Sequence, residues 1–467
     1  MTKPTALKAP FKTHFRKNIM AETAPSSDTG HLPGQQARSV AFTLLEDVLS
    51  RHQALDHTLE RNAEISKLDT RDRAFVRMLV STTLRKLGQV DDLIVKAMER
   101  PDALKSDKLR HVLRLGTTQI AFMNIPDHAA VDTAVNLTQA IGMNKQSGFV
   151  NAVLRNIAKT GQDWIRRQDP NRLNTPEWLL KIWIEDYGLR TAAQIAQANG
   201  SEAPLDLTLK SDESRIYWSN TLQATELKTG SLRKQPGGSV VDLPGYDEGA
   251  WWIQDAAAAI PARLFGEIAG QTVLDFCAAP GGKAAQLADQ GARVIAIDRA
   301  PNRIKKLEQN LSRLKLLDRV DVRIADATQW RPEHKDGPLY YILLDAPCTA
   351  TGTARRHPDV IHLKDARDLE RLSRIQENIL QNAFHILAPE GVLIYCTCSL
   401  QKEEGEYQID RFLAQNPDAA RIPIRKEELG GYEDPLTEHG DLRILPFHNA
   451  TLGGMDGFFI ARLTKTP

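Results

Sequence analysis

Four cysteines in 467 residues are too few for a disulfide framework. The sulfurs at positions 277, 348, 396 and 398 are left with thiol chemistry, metal binding or plain burial. Long apolar runs are lacking too. Nothing approaches the roughly 18 to 20 residues that a membrane-spanning helix needs, and no apolar signal core follows the N-terminal charges. A cytoplasmic protein without a membrane partner is expected. An excess of one charge sign is also missing. The net charge is +1, from 60 basic and 59 acidic residues, so any nucleic-acid surface must be a local patch. What is present is a soluble composition, 42% hydrophobic and 25% charged, in a chain too long for a single core. Two or three domains are expected.

Residues 1–36 are rich in Lys, Thr, Ser, Pro and Gly and lack helical periodicity, which predicts a disordered tail. Its first acid is Glu22, as in an organellar presequence. The reading adopted is a bacterial tail with Met20 as an alternative start. Residues 37–160 turn helical. In "ARSVAFTLLEDVLS" the apolar residues Val40, Leu44, Leu45 and Val48 recur at helical spacing, and a bundle of five to seven helices is predicted. Residues 161–254 are mixed: "PEWLLKIWIEDYG" reads as a helix, "PLDLTLK" as a strand, and the Gly- and Pro-rich stretch before Trp251 as turns, predicting a small α/β linker subdomain. From 255 to 467 short apolar strands alternate with helices. "QTVLDFC", "ARVIAID", "RVDVRIAD", "LYYILLDAPC" and "GVLIYCTCS" are the strands, which predicts a parallel sheet covered on both faces. Ligands bind such a sheet at the carboxyl ends of its strands. All four cysteines lie at those ends.

"VLDFCAAPGGKAAQLA" reads as strand, small-residue turn and helix. Gly281 and Gly282 permit close backbone approach, and the helix N-terminus offers free N–H groups. Neither GxGxxG nor the Walker lysine spacing is present, so an adenosyl ligand without a pyrophosphate is favoured. Asp298, Asp326 and Asp345 close three of the strands. An acid at one strand end is commonly a cap or turn residue, but three in register resemble the S-adenosylmethionine site of class I methyltransferases.

"LLDAPCTATG" resembles the motif of enzymes that methylate planar nucleobases. Cytosine C5 is a poor nucleophile. A thiolate that adds to C6 activates it, and an acid at N3 and N4 favours charge build-up on the ring. Taken together, "FCAAPGGK", "DAPCTATG", "RRHPD" and "CTCS" resemble the NOL1/NOP2/Sun family of RNA cytosine-5 methyltransferases. The stretches "LRLGTTQIAFMNIPDHAAVDTAVNLTQAIG" and "GFVNAVLRNI" resemble a NusB-like RNA-binding domain. The architecture this implies is multidomain: an N-terminal all-α NusB-like bundle, the linker subdomain, and a C-terminal α/β Rossmann-like class I methyltransferase.

The resemblance also implies roles. Cys398 is the nucleophile, Cys348 assists product release, and Asp345 contacts cytosine N3 and N4. Cys277, Ala278, Ala279, Pro280, Gly281, Gly282 and Lys283, with Asp298, Asp326 and Asp345, hold S-adenosylmethionine. The substrate is small-subunit ribosomal RNA and the protein acts as a monomer. Arg355 and Arg356 are expected to reach RNA phosphate from the loop after the Pro-Cys turn. Lys283 either aids the site or is a solvated first-turn lysine. The charges of helix 301–314 are expected to be a solvated face, and Trp251 and Trp252 to be buried between subdomains. No metal is expected, because a lone CxC lacks the paired spacing of structural zinc. Cys396 is expected to be a buried neighbour. Two departures from the family pattern stand out. Thr349-Ala350-Thr351-Gly352 replaces the usual Ser-Gly-Thr-Gly, and Glu404-Gly405-Glu406 replaces Glu-Asn-Glu. The alternatives weighed are a non-catalytic RNA-binding assembly factor and a DNA cytosine-5 methyltransferase. Intact Asp345, Cys348 and Cys398 oppose the first, and the helical domain with the second cysteine motif opposes the other.

Overall fold

The computed structural model describes residues 34–210, 214–432 and 435–466. The expected tail up to residue 33, Met20 included, lies outside the described residues. Among the described residues eight α-helices form the N-terminal bundle: α1 (Gln35–Leu49), α2 (Leu55–Arg61), α3 (Ala63–Lys67), α4 (Thr70–Arg85), α5 (Leu87–Ala97), α6 (Asp107–Phe122), α7 (Asp127–Ala140) and α8 (Ser147–Ile165). They bury one core, in which Leu44, Leu45, Leu79, Val112 and Leu154 are fully or almost fully enclosed. That is more helices than the five to seven predicted. The additional ones, α2 and α3, are too short to show a period. Their neighbourhood is set by side-chain caps: Asn62 accepts from the Glu64 amide at 3.0 Å and Asp69 from the Asp72 amide at 2.7 Å.

After α9 (Pro170–Leu173), the helix predicted to end near Gly188 continues as α10 (Glu177–Asn199). Gly188 sits within it at φ +79 and kinks it. A four-stranded sheet follows, built from β1 (Leu205–Leu209), β2 (Thr225–Glu226), β3 (Leu232–Lys234) and β4 (Trp251–Ile253) in the order β2-β3-β1-β4, with α11 (Arg215–Leu222) against it. Trp251 and Trp252 are buried in β4, as expected.

The C-terminal sheet carries the remaining strands: β5 (Thr272–Phe276), β6 (Arg293–Asp298), β7 (Val320–Ile324), β8 (Leu339–Asp345), β9 (Leu387–Thr397), β10 (Ala419–Arg421), β11 (Leu442–Ile444) and β12 (Phe458–Lys465). Its order is β10-β12-β9-β8-β5-β6-β7, with β11 on β12. One face is covered by α12 (Ile260–Arg263), α13 (Gly282–Asp289) and α14 (Pro301–Arg313), the other by α15 (Ala366–Ile386) and α16 (Glu406–Gln415). β5 to β9 are parallel, but β12 runs antiparallel to β9, so the sheet is mixed rather than parallel throughout. The chain leaves β5 toward β6 on one side and returns to β8 on the other. The crevice between the ends of β5 and β8 is therefore a topological switch point. Among the described residues no helix is long and apolar enough to cross a membrane.

Polar contacts join the units. The Leu55 amide donates to Asp359 at 2.9 Å, Arg85 to the Arg355 carbonyl at 3.0 Å, and His362 meets the Leu84 carbonyl at 2.9 Å. The linker sheet is tied in by a buried ion pair. Arg233 on β3 faces Asp206 on β1 with two bonds, of 2.7 and 2.6 Å, and also donates to the Gly454 carbonyl at 2.6 Å. Removing one partner of a buried pair strands the other charge. Asp206→Ala should therefore lose about 3–5 kcal/mol, read in urea unfolding by the fluorescence of Trp251 and Trp252. Replacing both partners, Asp206→Ala with Arg233→Met, should recover part of that loss.

Candidate active site

β5 ends in the turn 277–282. Cys277 adopts φ +62 and Gly281 φ +103, a left-handed conformation that glycine takes without strain. The Ala278 amide is held by the Ile297 carbonyl of β6 at 3.0 Å, and α13 begins at Gly282. Beside the turn opens a cleft of about 200 Å³, lined by Cys277, Asp298, Arg303, Asp326, Pro347 and Ile379 among others. It thus brings together Cys277, Asp298 and Asp326 from three successive strand ends.

Each acid has its own setting. Asp298 is buried; one oxygen accepts from the Ala300 amide at 3.0 Å, and Oδ2 lies 3.1 Å from Arg303. That is ion-pair range, yet Oδ2 makes no hydrogen bond of good geometry, so it is free to accept one from a ligand. Asp326 is exposed and folded into a turn with Thr328, whose hydroxyl and amide keep its carboxyl below the usual range. Burial, then the charge of Asp298, pushes the Cys277 thiol up to about 12.

Lys283, in the first turn of α13, is not solvated. It is 9% exposed, and its Nζ donates to Asp345 Oδ2 at 2.7 Å and lies 5.2 Å from the centre of the Phe458 ring. Burial opposes its charge, but Asp345 outweighs burial and its pKa is raised. Asp345 Oδ1 also faces the Cys396 thiol at 3.6 Å. Cys396 is fully buried, and burial followed by Asp345 drives its pKa well above the thiol range.

Cys348 and Cys398 come together across the ends of β8 and β9, with Sγ atoms 3.5 Å apart. The hydrogen bond to Cys398, then burial, hold Cys348 in the thiol form. Three constraints keep the sulfurs adjacent. The Gly352 amide donates to the Cys398 carbonyl at 2.9 Å, and the Gly457 amide to the Gly352 carbonyl at 2.8 Å. A Cβ at position 352 would overlap the Gly457 carbonyl, so this crossing requires glycine. Glu404, fully buried, accepts from the Thr349 amide at 3.0 Å, from the Thr349 hydroxyl, and from Gln376 at 2.8 Å, while Gln376 also donates to the Pro347 carbonyl at 2.9 Å. The family departures are accommodated here. Ala350 sits at φ +58 where glycine is usual, at a cost of about 1–2 kcal/mol. At Gly405 a side chain would strike Arg443 and Phe459.

Two expectations need correction. Arg355 is 2% exposed and donates to the Gly453 carbonyl, so it presents no cation to RNA; the turn before β12 buries it. Arg356 is paired with the buried Asp456 but keeps 30% of its side chain exposed. The charged helix α14 is not merely a solvated face. Arg303 enters the cleft and donates to the Ala279 carbonyl, and Arg313 donates to the Tyr246 and Trp251 carbonyls. Arg303, Gln376 and Phe458 are site residues that the sequence reading missed. The second motif did flag Glu404, as the acid after Thr-Cys-Ser, whereas Arg303 was hidden in a charge run. Among the described residues no three His, Cys, Asp or Glu side chains are grouped as metal ligands would be.

Residues 265–464 match a family model described as 16S rRNA methyltransferase RsmB/F, and residues 35–159 match the NusB family. The chain is 33% identical to the ribosomal RNA small subunit methyltransferase B of Vibrio cholerae, over 92% of this chain and 97% of that protein. It is 31% identical to the protein of the same description from Pasteurella multocida, over 97% and 99%. Among solved structures, PH0851 superposes with a TM-score of 0.75 at 20% identity, covering 94% of this chain and all of that one. NSun6 from Pyrococcus horikoshii with SFG gives 0.52 at 20%, covering 62% and 98%. These two establish likeness of fold.

The four thiols should react unequally with iodoacetamide. In the folded protein Cys398 should be alkylated first and Cys348 more slowly, while Cys277 and Cys396 stay unmodified until denaturant is added. Peptide mass spectrometry over a time course checks this order. Labelling of Cys396 at the rate of Cys398 would contradict the packing around β9.

Proposed function

Since the chain belongs to the RsmB/F family of 16S rRNA methyltransferases, we propose that it methylates C5 of a cytosine in small-subunit ribosomal RNA, through a covalent bond from Cys398 to C6. The observation that carries this reading is the Cys348–Cys398 pair, with sulfurs 3.5 Å apart, beside the Lys283–Asp345 ion pair and the cleft. The cleft residues fit S-adenosylmethionine. Asp298, whose Oδ2 faces Arg303 without a hydrogen bond of good geometry, suits ribose hydroxyls; Asp326 suits the adenine end; the turn opened by Cys277, which lines the cleft, suits the methionine part. Bound there, the cofactor supplies a methyl group on a sulfonium, ready for attack by carbon.

The residues of the chain do the rest. Cys398 adds to C6 as a thiolate, and the electron pair displaced toward C5 makes that carbon nucleophilic. Asp345, oriented by Lys283, holds the N3 and N4 edge and stabilises charge on the ring. After methylation a base takes the C5 proton, the C5–C6 double bond re-forms and the C6–S bond breaks, returning Cys398 as thiolate. Cys348, adjacent to that sulfur, serves this release. The NusB-like bundle, docked on the loop that follows the Pro-Cys turn, supports an RNA partner rather than DNA.

The test uses Cys398→Ala and Cys348→Ala proteins with labelled cofactor and a small-subunit RNA transcript. Cys398→Ala should give no methyl transfer and no denaturation-resistant protein–RNA band. Cys348→Ala should accumulate such a band with little turnover. Undiminished transfer by Cys398→Ala would refute the mechanism.

A further inference from the structure

Asp275 lies on β5, two residues before Cys277, and the reaction above gives it no part. It is fully buried, and neither carboxyl oxygen has a hydrogen-bond partner among the described residues. A carboxylate without a partner in such a place is too costly to keep, so the group retains its proton. Burial, then the like charge of Asp345, push its carboxyl up to about 8 against the pull of Lys283. With no surface open to the cleft, it does not touch a cofactor lying there.

Strand register supplies its surroundings. Asp275 stands opposite Leu343 of β8 and Ala296 of β6, while Asp345 stands opposite Cys396 of β9. Side chains two residues apart share a face, so Asp275, Asp345, Cys396 and Asp298 project the same way, about 8 Å apart between diagonal neighbours on adjacent strands. That face is covered by α13, which carries Lys283. The ionisable groups facing Asp275 are thus Asp345 on β8, Cys396 on β9, Asp298 on β6, Cys277 in the turn and Lys283 on α13.

Asp275, Asp345 and Lys283 together are neutral while one acid is protonated. In the resting arrangement Asp345 is bound to the ammonium and the proton stays on Asp275. Cytosine makes the opposite demand. Its N4 amino group donates and its N3 accepts, so a carboxylate satisfies N4 and has nothing to give N3. A proton moved from Asp275 to Asp345 meets the demand without changing the charge of the trio.

We propose that Asp275 is a positioning residue that acts through Asp345, storing inside the sheet the proton that Asp345 presents to N3 of the target base. The inference rests on the reaction proposed above. Lys283 gives a proton to Asp345 and takes one from Asp275, so one O–H bond breaks, another forms, and the ammonium moves from the first carboxylate to the second. When the C6–S bond breaks and the ring regains its electron pair, the proton returns by the same route.

The test is Asp275→Asn, which preserves shape and neutrality and removes the proton. Formation of the protein–RNA adduct is followed in the Cys348→Ala background from about pH 6 to about pH 9, with cofactor affinity and thermal unfolding measured alongside. At each pH the adduct rate of the Asp275→Asn protein is read as a ratio to that of the protein with Asp275 intact, which cancels every ionisation the two share. That ratio should be a tenth or less at neutral pH and decline about tenfold per pH unit until Asp275 itself ionises, above about pH 8, because in the variant Asp345 must draw each proton from water, at unchanged cofactor affinity. A folded Asp275→Asn protein whose rate matches that of the Asp275 protein at every pH overturns the inference alone, as does a variant whose defect is lost cofactor binding. No adduct in the Cys348→Ala background with Asp275 intact overturns the proposed reaction and this inference with it. Should Asp275→Asn fail to fold, the infrared band of the buried protonated carboxyl in the Cys398→Ala protein decides. It must move to lower frequency when RNA binds, and an unmoved band overturns the inference.

Discussion

The pairing of β8 with β9 is the constraint on which the rest of the site depends. Asp345 stands opposite Cys396, so the two strands end level, and the turns that leave them carry Cys348 and Cys398 into contact. A slip of one residue would put Asp345 and Cys396 on opposite faces and separate the thiols. The register is secured beyond the strands by the Ala346 amide on the Cys396 carbonyl at 2.9 Å, the Gly352 crossing, and buried Glu404. Burial raises the Glu404 pKa, but the donors arranged around it oppose that shift.

Paired charges fix how separate elements meet. Arg233, held by Asp206 within the linker sheet, donates to the turn before β12, Arg356 with Asp456 ties the Pro-Cys loop to the same turn, and Lys283 with Asp345 joins α13 to β8. Buried pairs add less net stability than hydrophobic packing would, but they tolerate only one geometry. For a site assembled from strand ends, a helix and two loops, that geometric demand fixes which surfaces meet. The same economy explains Arg355. Its neighbours in sequence docked against the bundle, and the residue was drawn in with them.

Much of the fold was legible because periodicity is local. The five parallel strands and the helices between them lie within a few residues of where apolar runs and turn residues put them, and "VLDFCAAPGGK" displayed its turn through Gly281, whose positive φ the backbone does need. β12 was not foreseen. It joins the parallel strands by pairing with β9, more than 60 residues earlier, and no local pattern states a partner. Arg303 was misread, and the role of Lys283 left open, for a related reason. A lysine in a first helical turn and an arginine in a charged run look solvated until the sheet edge they face is known.

By itself the sequence determined the order of elements, the two cysteine motifs at strand ends, the acids that close the strands and the class of chemistry they resemble. These follow from residue type and short spacings, which act within one turn of chain. Tertiary structure decided which thiol meets which, that Cys396 is enclosed while Cys398 is half open, that Arg355 is structural, and that Asp275 is an acid without a partner. Those outcomes depend on burial and on charges brought together from distant strands. The free energy of an ionisable group is set by such surroundings, which no neighbouring residue in the chain specifies.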